Sequence, residues 1–249
     1  MRRLAGLLAV VLVAVCGGAA MADCRLALVL ALDVSSSVDA DEYRLQRDGL
    51  AAALIAPEVR QAFFASDLPV ALAAYESSGT DNQALILDWH IIDSPAVLFE
   101  VSQIIARTER SESEFPTAMG YALGYGAGVL RRAPSCLYRT LDISGDGKNN
   151  DGFPPAAAYA EFPFAGVTVN GLVVNAAEYE TEVSLMDFFR TQVLHGPGAF
   201  LEVAQGFQDF ERAMRRKLER ELRGVMLSSR TKDARSSGPS PNPARAGQE

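Results

Sequence analysis

The sequence predicts an α/β fold: a doubly wound, mostly parallel central sheet with one antiparallel edge strand and helices on both faces. Three observations carry this. The run "RLALVLAL", residues 25–32, is unbroken apolar sequence, which suits a strand buried on both of its faces. Runs of that kind alternate along the chain with segments whose apolar residues recur at helical spacing, the pattern of strand–helix–strand units. Finally, "PVALAAYES" and "ALILDWHII" are separated only by a polar turn holding Gly79 and Asn82. So short a connection fits a hairpin, and hence an antiparallel strand at the sheet edge.

The remaining elements follow in order. After the first strand, Asp39 and Glu42 form a capping-box pattern, and apolar residues at helical spacing continue through Leu54 toward Phe64. Beyond the hairpin come two helical stretches, residues 95–107 and 117–130, then the strand "LYRTLDIS". A helix near Ala156, the strand "VTVNGLVV", a helix over residues 182–191, the strand "GAFLEVA" and a closing helix over residues 207–225 complete the chain. In open sheets of this class ligands bind where loops leave the carboxyl ends of the strands.

The two ends of the 249-residue chain differ from its middle. Arg2 and Arg3 precede an apolar run and the small residues Ala20-Met21-Ala22, the three-part pattern of a secretory signal peptide over residues 1–22. That run is short of the roughly 20 residues needed to span a bilayer. The expectation is an exported protein, periplasmic or secreted, with no stable membrane span once the signal is removed. Residues 228–249 lack large apolar side chains and are rich in Ser, Pro, Gly and charge, so residues 227–249 are expected to form a disordered tail. Residues 23–226 remain as one domain.

The formal charge is −8, and loss of Arg2 and Arg3 with the signal makes it more negative, a poor match to nucleic acid or an anionic membrane. The one basic cluster, Arg212, Arg215, Arg216, Lys217, Arg220 and Arg223, reads as a solvated helix face. Of three cysteines, Cys16 leaves with the signal. Cys24 and Cys136 each stand just ahead of an apolar run; if those runs are neighbouring parallel strands, the two sulfurs meet at one sheet edge and form a disulfide.

The stretch "LALDVSSSVD" ends the first strand on Asp33 and a run of serines. Asp33, Ser35 and Ser37 stand at i, i+2 and i+4, so one short loop offers three oxygens to a common point. A helix cap would use only one of them. Oxygen donors alone suit a hard cation such as Mg²⁺. A second stretch, "DISGDGKNND", again ends an apolar strand on an aspartate, Asp146, between Gly145 and Gly147. Between the two, "EFPTAMGYALGYG" places Thr117 at the start of a helix.

This arrangement resembles the von Willebrand factor A domain with its metal-ion-dependent adhesion site, over residues 25–225. More narrowly, "LALDVSSSVDADEYRLQRDG", "DISGDGKNNDG", "VTVNGLVV" and "HGPGAFLEVA" resemble a bacterial family of exported von Willebrand factor A-like proteins of unknown function. The resemblance implies that Ser35, Ser37 and Thr117 ligate a divalent cation directly while Asp33 and Asp146 act through water. Mg²⁺ is the first expectation, with Mn²⁺ or Ca²⁺ as alternatives. It further implies an open metal position for an acidic side chain of a partner protein, and so an adhesion-type binding module and not an enzyme. The approach to Thr117, "SESEFPT", departs from the glycine-rich pattern of the narrower family. Glu112 and Glu114 there read as a solvated acidic loop, or as one residue filling the open metal position in the absence of a partner.

Other chemistries fit less well. An EF-hand loop starting at Asp142 would place Phe153 where a bidentate Glu is required. An aspartyl phosphatase would carry a second acid where Ser35 stands. His90 and His195 have no G-x-S-x-G elbow to serve. Two alternatives stay open, a metal-dependent hydrolase of phosphate or other esters using metal-activated water, and a structural domain with a vestigial metal site. Asp142, an acid inside a central strand, is expected to be paired for structural reasons or to orient the Asp146 loop.

Overall fold

A computed structural model describes residues 22–112, 114–175 and 179–236, with only the backbone described at 179–182 and 225–236. The predicted signal segment up to residue 21 and the chain from residue 237 onward lie outside the described residues. Six strands, β1 (Cys24–Asp33), β2 (Val70–Ser78), β3 (Asn82–Ile92), β4 (Cys136–Gly145), β5 (Val167–Val174) and β6 (Leu201–Ala204), form one sheet of order β3-β2-β1-β4-β5-β6. All pairings are parallel except β2 with β3, so the hairpin supplies the one antiparallel edge.

Every residue of β1 is buried, and its alternation sorts side chains by size. Leu26, Leu28, Leu30 and Leu32 face helices α1 (Ala40–Ile55), α2 (Pro57–Phe63), α3 (Pro95–Ala106) and α7 (Phe210–Ser236). Ala27, Val29 and Ala31 face α4 (Met119–Arg131), α5 (Pro155–Glu161) and α6 (Tyr179–Phe188). Small residues on that face let the glycine-rich α4 lie close to the sheet: a Cβ on Gly126 would fall 2.7 Å from the Leu141 side chain.

The capping box forms as the sequence predicts. The Asp39 side chain accepts from the Asp41 and Glu42 amides, and the Glu42 carboxylate accepts from the Asp39 amide. Four elements differ from the sequence reading. The first helix does not run through to Phe64, because Pro57 lacks the amide needed to continue it and starts a separate helix instead. The helix assigned to residues 182–191 is α6 followed by a wider turn, Phe189–Val193. The last strand shrinks to four residues, and ahead of it the Phe200 amide bonds the Asn170 side chain. At the carboxyl end, α7 continues to Ser236, so residues 227–236 are helical although they were expected to be disordered. A helix already nucleated against the core extends at little cost through a stretch without Pro or Gly.

The basic cluster is also not uniformly solvated. Arg212, Arg215, Arg216 and Arg223 make partly exposed ion pairs, but Lys217 is 0 % exposed. Its ammonium pairs with Asp142 of β4 and lies 3.5 Å from Glu221, whose carboxylate also accepts from Asn170 of β5 at 2.9 Å. Asp142 thus has a structural partner across the α7–sheet interface.

Cys24 and Cys136 are register partners on β1 and β4 and are disulfide-bonded. The bond closes a loop of sequence separation 112. Replacing both cysteines by serine is expected to cost about 2–5 kcal/mol of folding stability, read from denaturant unfolding under oxidising conditions. Wild-type stability that is unchanged by reductant would contradict this. Among the described residues no helix is long and apolar enough to cross a membrane.

Candidate metal centre

Three loops at the carboxyl ends of β1 and β4 and at the start of α4 bring together all five predicted oxygen donors. The β1 register places Asp33 beside Ser77 of β2, and the chain then turns through Ser35 and Ser37 into the capped α1. Asp33 Oδ1 accepts from the Ser35 amide at 2.9 Å, an Asx-type turn that folds the loop back over the strand end. The second loop leaves β4 at Gly145 and carries Asp146. A Cβ at Gly145 would lie 3.1 Å from Asp33 Oδ2 and one at Gly147 2.8 Å from Thr117 Oγ1, so both flanking glycines permit close approach. Thr117 precedes α4 by two residues and does not open it, since the helix begins at Met119. Its carbonyl accepts from the Asn150 and Asp151 amides at 3.0 and 3.2 Å, which joins its loop to the Asp146 loop.

The side chains form one continuous chain of contacts. Thr117 Oγ1 donates to Asp33 Oδ2 at 3.4 Å and lies 2.9 Å from Ser35 Oγ. Ser35 Oγ is 3.3 Å from Ser37 Oγ, and Ser37 Oγ donates to Asp146 Oδ1 at 2.7 Å. Asp33 is 6 % exposed and Ser35 and Thr117 are buried, while Ser37 is exposed, so the cluster opens to solvent on the Ser37 and Asp146 side. Burial, reinforced by the nearby Asp146 charge, pushes the Asp33 carboxyl up to about 7. Burial also raises Asp146 above the ordinary carboxylate range.

This donor set fits a hard divalent cation. Burial penalises the charge of both carboxylates, Asp146 adds to the penalty on Asp33, only hydroxyls stand between them, and a cation there would reverse that penalty. Among the described residues no three His, Cys, Asp or Glu gather as a metal cluster. The site escapes such a pattern because three of its five donors are neutral hydroxyls. Glu112 and Glu114 are exposed. Asn149 accepts from the Gly120 amide at 3.3 Å and shapes the loop. His195 stacks on Tyr159 with ring centroids 4.5 Å apart, and His90 Nδ1 lies 2.8 Å from the Asp88 carbonyl.

Sequence reasoning missed Arg110, Glu76 and Tyr43. Arg110 Nη2 donates to the Val34, Ser35 and Val38 carbonyls at 3.0, 3.2 and 2.6 Å, so it grips the backbone of the serine loop. Glu76, fully buried on β2, accepts from Tyr43 Oη at 2.6 Å and from the Ser111 amide at 2.9 Å. Carbonyl acceptors carry no residue signature, so no sequence pattern reveals the grip. Only the buried acid within "AAYESS" was available as a hint.

The family model of DUF1194, described as a protein of unknown function, matches residues 23–226. No curated protein sequence matches the chain. Among solved structures, the fold is similar to proximal thread matrix protein 1 from the mussel byssus, with 16 % identity and a TM-score of 0.57, over 81 % of this chain and 49 % of that one. Another structure of that protein has a zinc-occupied metal-ion-dependent adhesion site motif. The pilus adhesin SpaC from Lactobacillus rhamnosus GG is similar at 12 % identity and TM-score 0.56, over 82 % of this chain and 31 % of that one. The von Willebrand factor domain of the pilus tip protein Mfa5 from Porphyromonas gingivalis is similar at 9 % identity and TM-score 0.56, over 82 % of this chain and 97 % of that one. The chain spans about half the length of the mussel protein and less of SpaC. At these identities the likeness concerns the fold, which is that of von Willebrand factor A domains.

Proposed function

This chain belongs to the DUF1194 family, and on that premise we propose that it is an exported, metal-dependent protein-binding module of the von Willebrand factor A type. The observation that carries the reading is the convergence of Asp33, Ser35, Ser37, Thr117 and Asp146 from three loops at the carboxyl end of the sheet. Ser35, Ser37 and Thr117 would hold the cation directly and Asp33 and Asp146 through water, the division of roles that the resemblance implies. Mg²⁺ is the favoured ion. Bound there, the cation supplies a strong, directional electrostatic contact for a carboxylate of a partner protein. Asp33 and the Ser35 amide fix the loop, the hydroxyl chain orients the donors, and the open side at Ser37 and Asp146 admits the partner.

Supporting this reading, the similar folds include pilus adhesins and a matrix protein with a zinc-occupied adhesion site. Export rests on the leader pattern of residues 1–22. The test is capture of exported proteins on the immobilised domain with Mg²⁺ and with chelator, in parallel with an Asp33→Ala/Ser37→Ala variant. A captured protein that elutes with chelator and is absent from the variant is expected. Mg²⁺-dependent turnover of a generic phosphate or carboxylate ester, lost in the same variant, would overturn the binding reading in favour of a hydrolase.

A further inference from the structure

We infer that Arg110 is the positioning residue that sets the ion selectivity of this centre, favouring a small octahedral cation over Ca²⁺ by occupying the backbone carbonyls of the serine loop. The inference rests on the metal reading above and specifies it further.

Residues 34–38 contain the hydroxyl donors Ser35 and Ser37, and their backbone carbonyls are the further oxygens of the same loop. Three of these, from Val34, Ser35 and Val38, converge on the single nitrogen Nη2 of Arg110. That nitrogen carries two hydrogens, so the three acceptors share them and the loop closes around the guanidinium. Ca²⁺ takes six to eight oxygens in flexible geometry and commonly includes backbone carbonyls, whereas Mg²⁺ demands a near-ideal octahedron and keeps several waters. A loop whose carbonyls are already engaged by an internal cation offers its side-chain hydroxyls, and few further oxygens. It is also stiff, which penalises the longer bonds and higher ligand number of Ca²⁺.

Arg110 is itself held in place from several directions. Its guanidinium lies 5.5 Å from the centre of the Tyr43 ring, and Arg47 lies 5.8 Å from the same ring. Tyr43 Oη donates to buried Glu76, which also takes the amide of Ser111, the residue next to Arg110. Arg47 Nη1 donates to the Thr108 carbonyl at 3.1 Å and fixes the segment on its other side. A buried carboxylate and two cations around one aromatic ring are a costly arrangement for merely closing a surface loop. Support of this kind behind a metal-binding loop is the usual means of fixing its donors, and its removal commonly changes metal affinity by about 10–100-fold.

The test is calorimetric titration of Mg²⁺ and Ca²⁺ into the wild-type mature protein and into Arg110→Met, Arg110→Lys and Glu76→Gln, with the melting temperature of each without metal. The affinity ratio of Mg²⁺ to Ca²⁺ is expected to fall by about tenfold or more in Arg110→Met, with smaller falls in Arg110→Lys and Glu76→Gln. The two milder variants carry the test if Arg110→Met is too unstable to titrate. Equal losses for both ions, or a ratio that does not move, would mean that Arg110 only stabilises the loop and would overturn the inference while leaving the metal site standing. A wild-type protein that binds neither ion would overturn both.

Discussion

Lys217→Met is expected to lower folding stability by about 3–5 kcal/mol. The ammonium is wholly buried between Asp142 of β4 and Glu221 on its own helix, and removal leaves two buried carboxyls without a cation. Taking two charges out of water costs more than their attraction commonly returns, so the pair adds little by itself; what is costly is to leave one side uncompensated. Replacing the cluster together, as Lys217→Met/Asp142→Leu/Glu221→Met, is therefore expected to recover most of the loss. Burial, reinforced by Asp142, holds the Glu221 carboxyl well above the usual carboxylate range. A carboxyl raised on folding favours the folded state in acid and loses that advantage as pH climbs from its unfolded value through its folded one. The Lys217→Met deficit should thus grow from about pH 4 toward neutrality. Denaturant unfolding at several pH values checks it, and a deficit under about 1 kcal/mol at pH 7 would contradict the burial argument.

The second large effect is the response to metal. At a hundredfold excess over its dissociation constant, a cation that binds only the folded protein adds about 2.7 kcal/mol of stability. For a domain of this size that raises the melting temperature by about 5–10 °C. Asp33→Asn should lose this response, and in the metal-free state it should be no less stable than wild type, because it removes a charge that burial and Asp146 already penalise. The pH dependence follows with a definite sign. The Asp33 carboxyl is raised to about 7 on folding, so its contribution to stability is complete below about pH 4 and is lost as pH rises through about 7. A divalent cation needs the ionised form. The melting-temperature gain from Mg²⁺ should therefore be larger at pH 8 than at pH 5, and an equal gain at both would place the ion elsewhere.

The parts of the fold legible in the sequence are those fixed by local pattern. The apolar run of β1, the short turn before β3 and the Asp39–Glu42 box each declare themselves within a few residues. That the five candidate residues come together was legible for a related reason: each ends a strand or precedes a helix, and the topology of an open sheet collects such ends on one side. What stayed hidden depends on contacts distant in sequence. Arg110 sits in a polar stretch and acts on carbonyls more than seventy residues away, which any sequence would provide. Lys217 is different, because a signal was present. It falls at helical spacing with the buried Phe210, Met214 and Glu221, and Asp142 stood in a central strand with a structural partner expected for it. Reading the arginines around it as one solvated face obscured a lysine pointing inward.

The most direct measurement is calorimetric titration of Mg²⁺ into the mature protein and into its Asp33→Ala/Ser35→Ala variant. Saturable binding to the wild type and none to the variant is the predicted result, and it would place the cation among the hydroxyls of residues 33–37. Binding of equal strength to both, or to neither, would contradict the account.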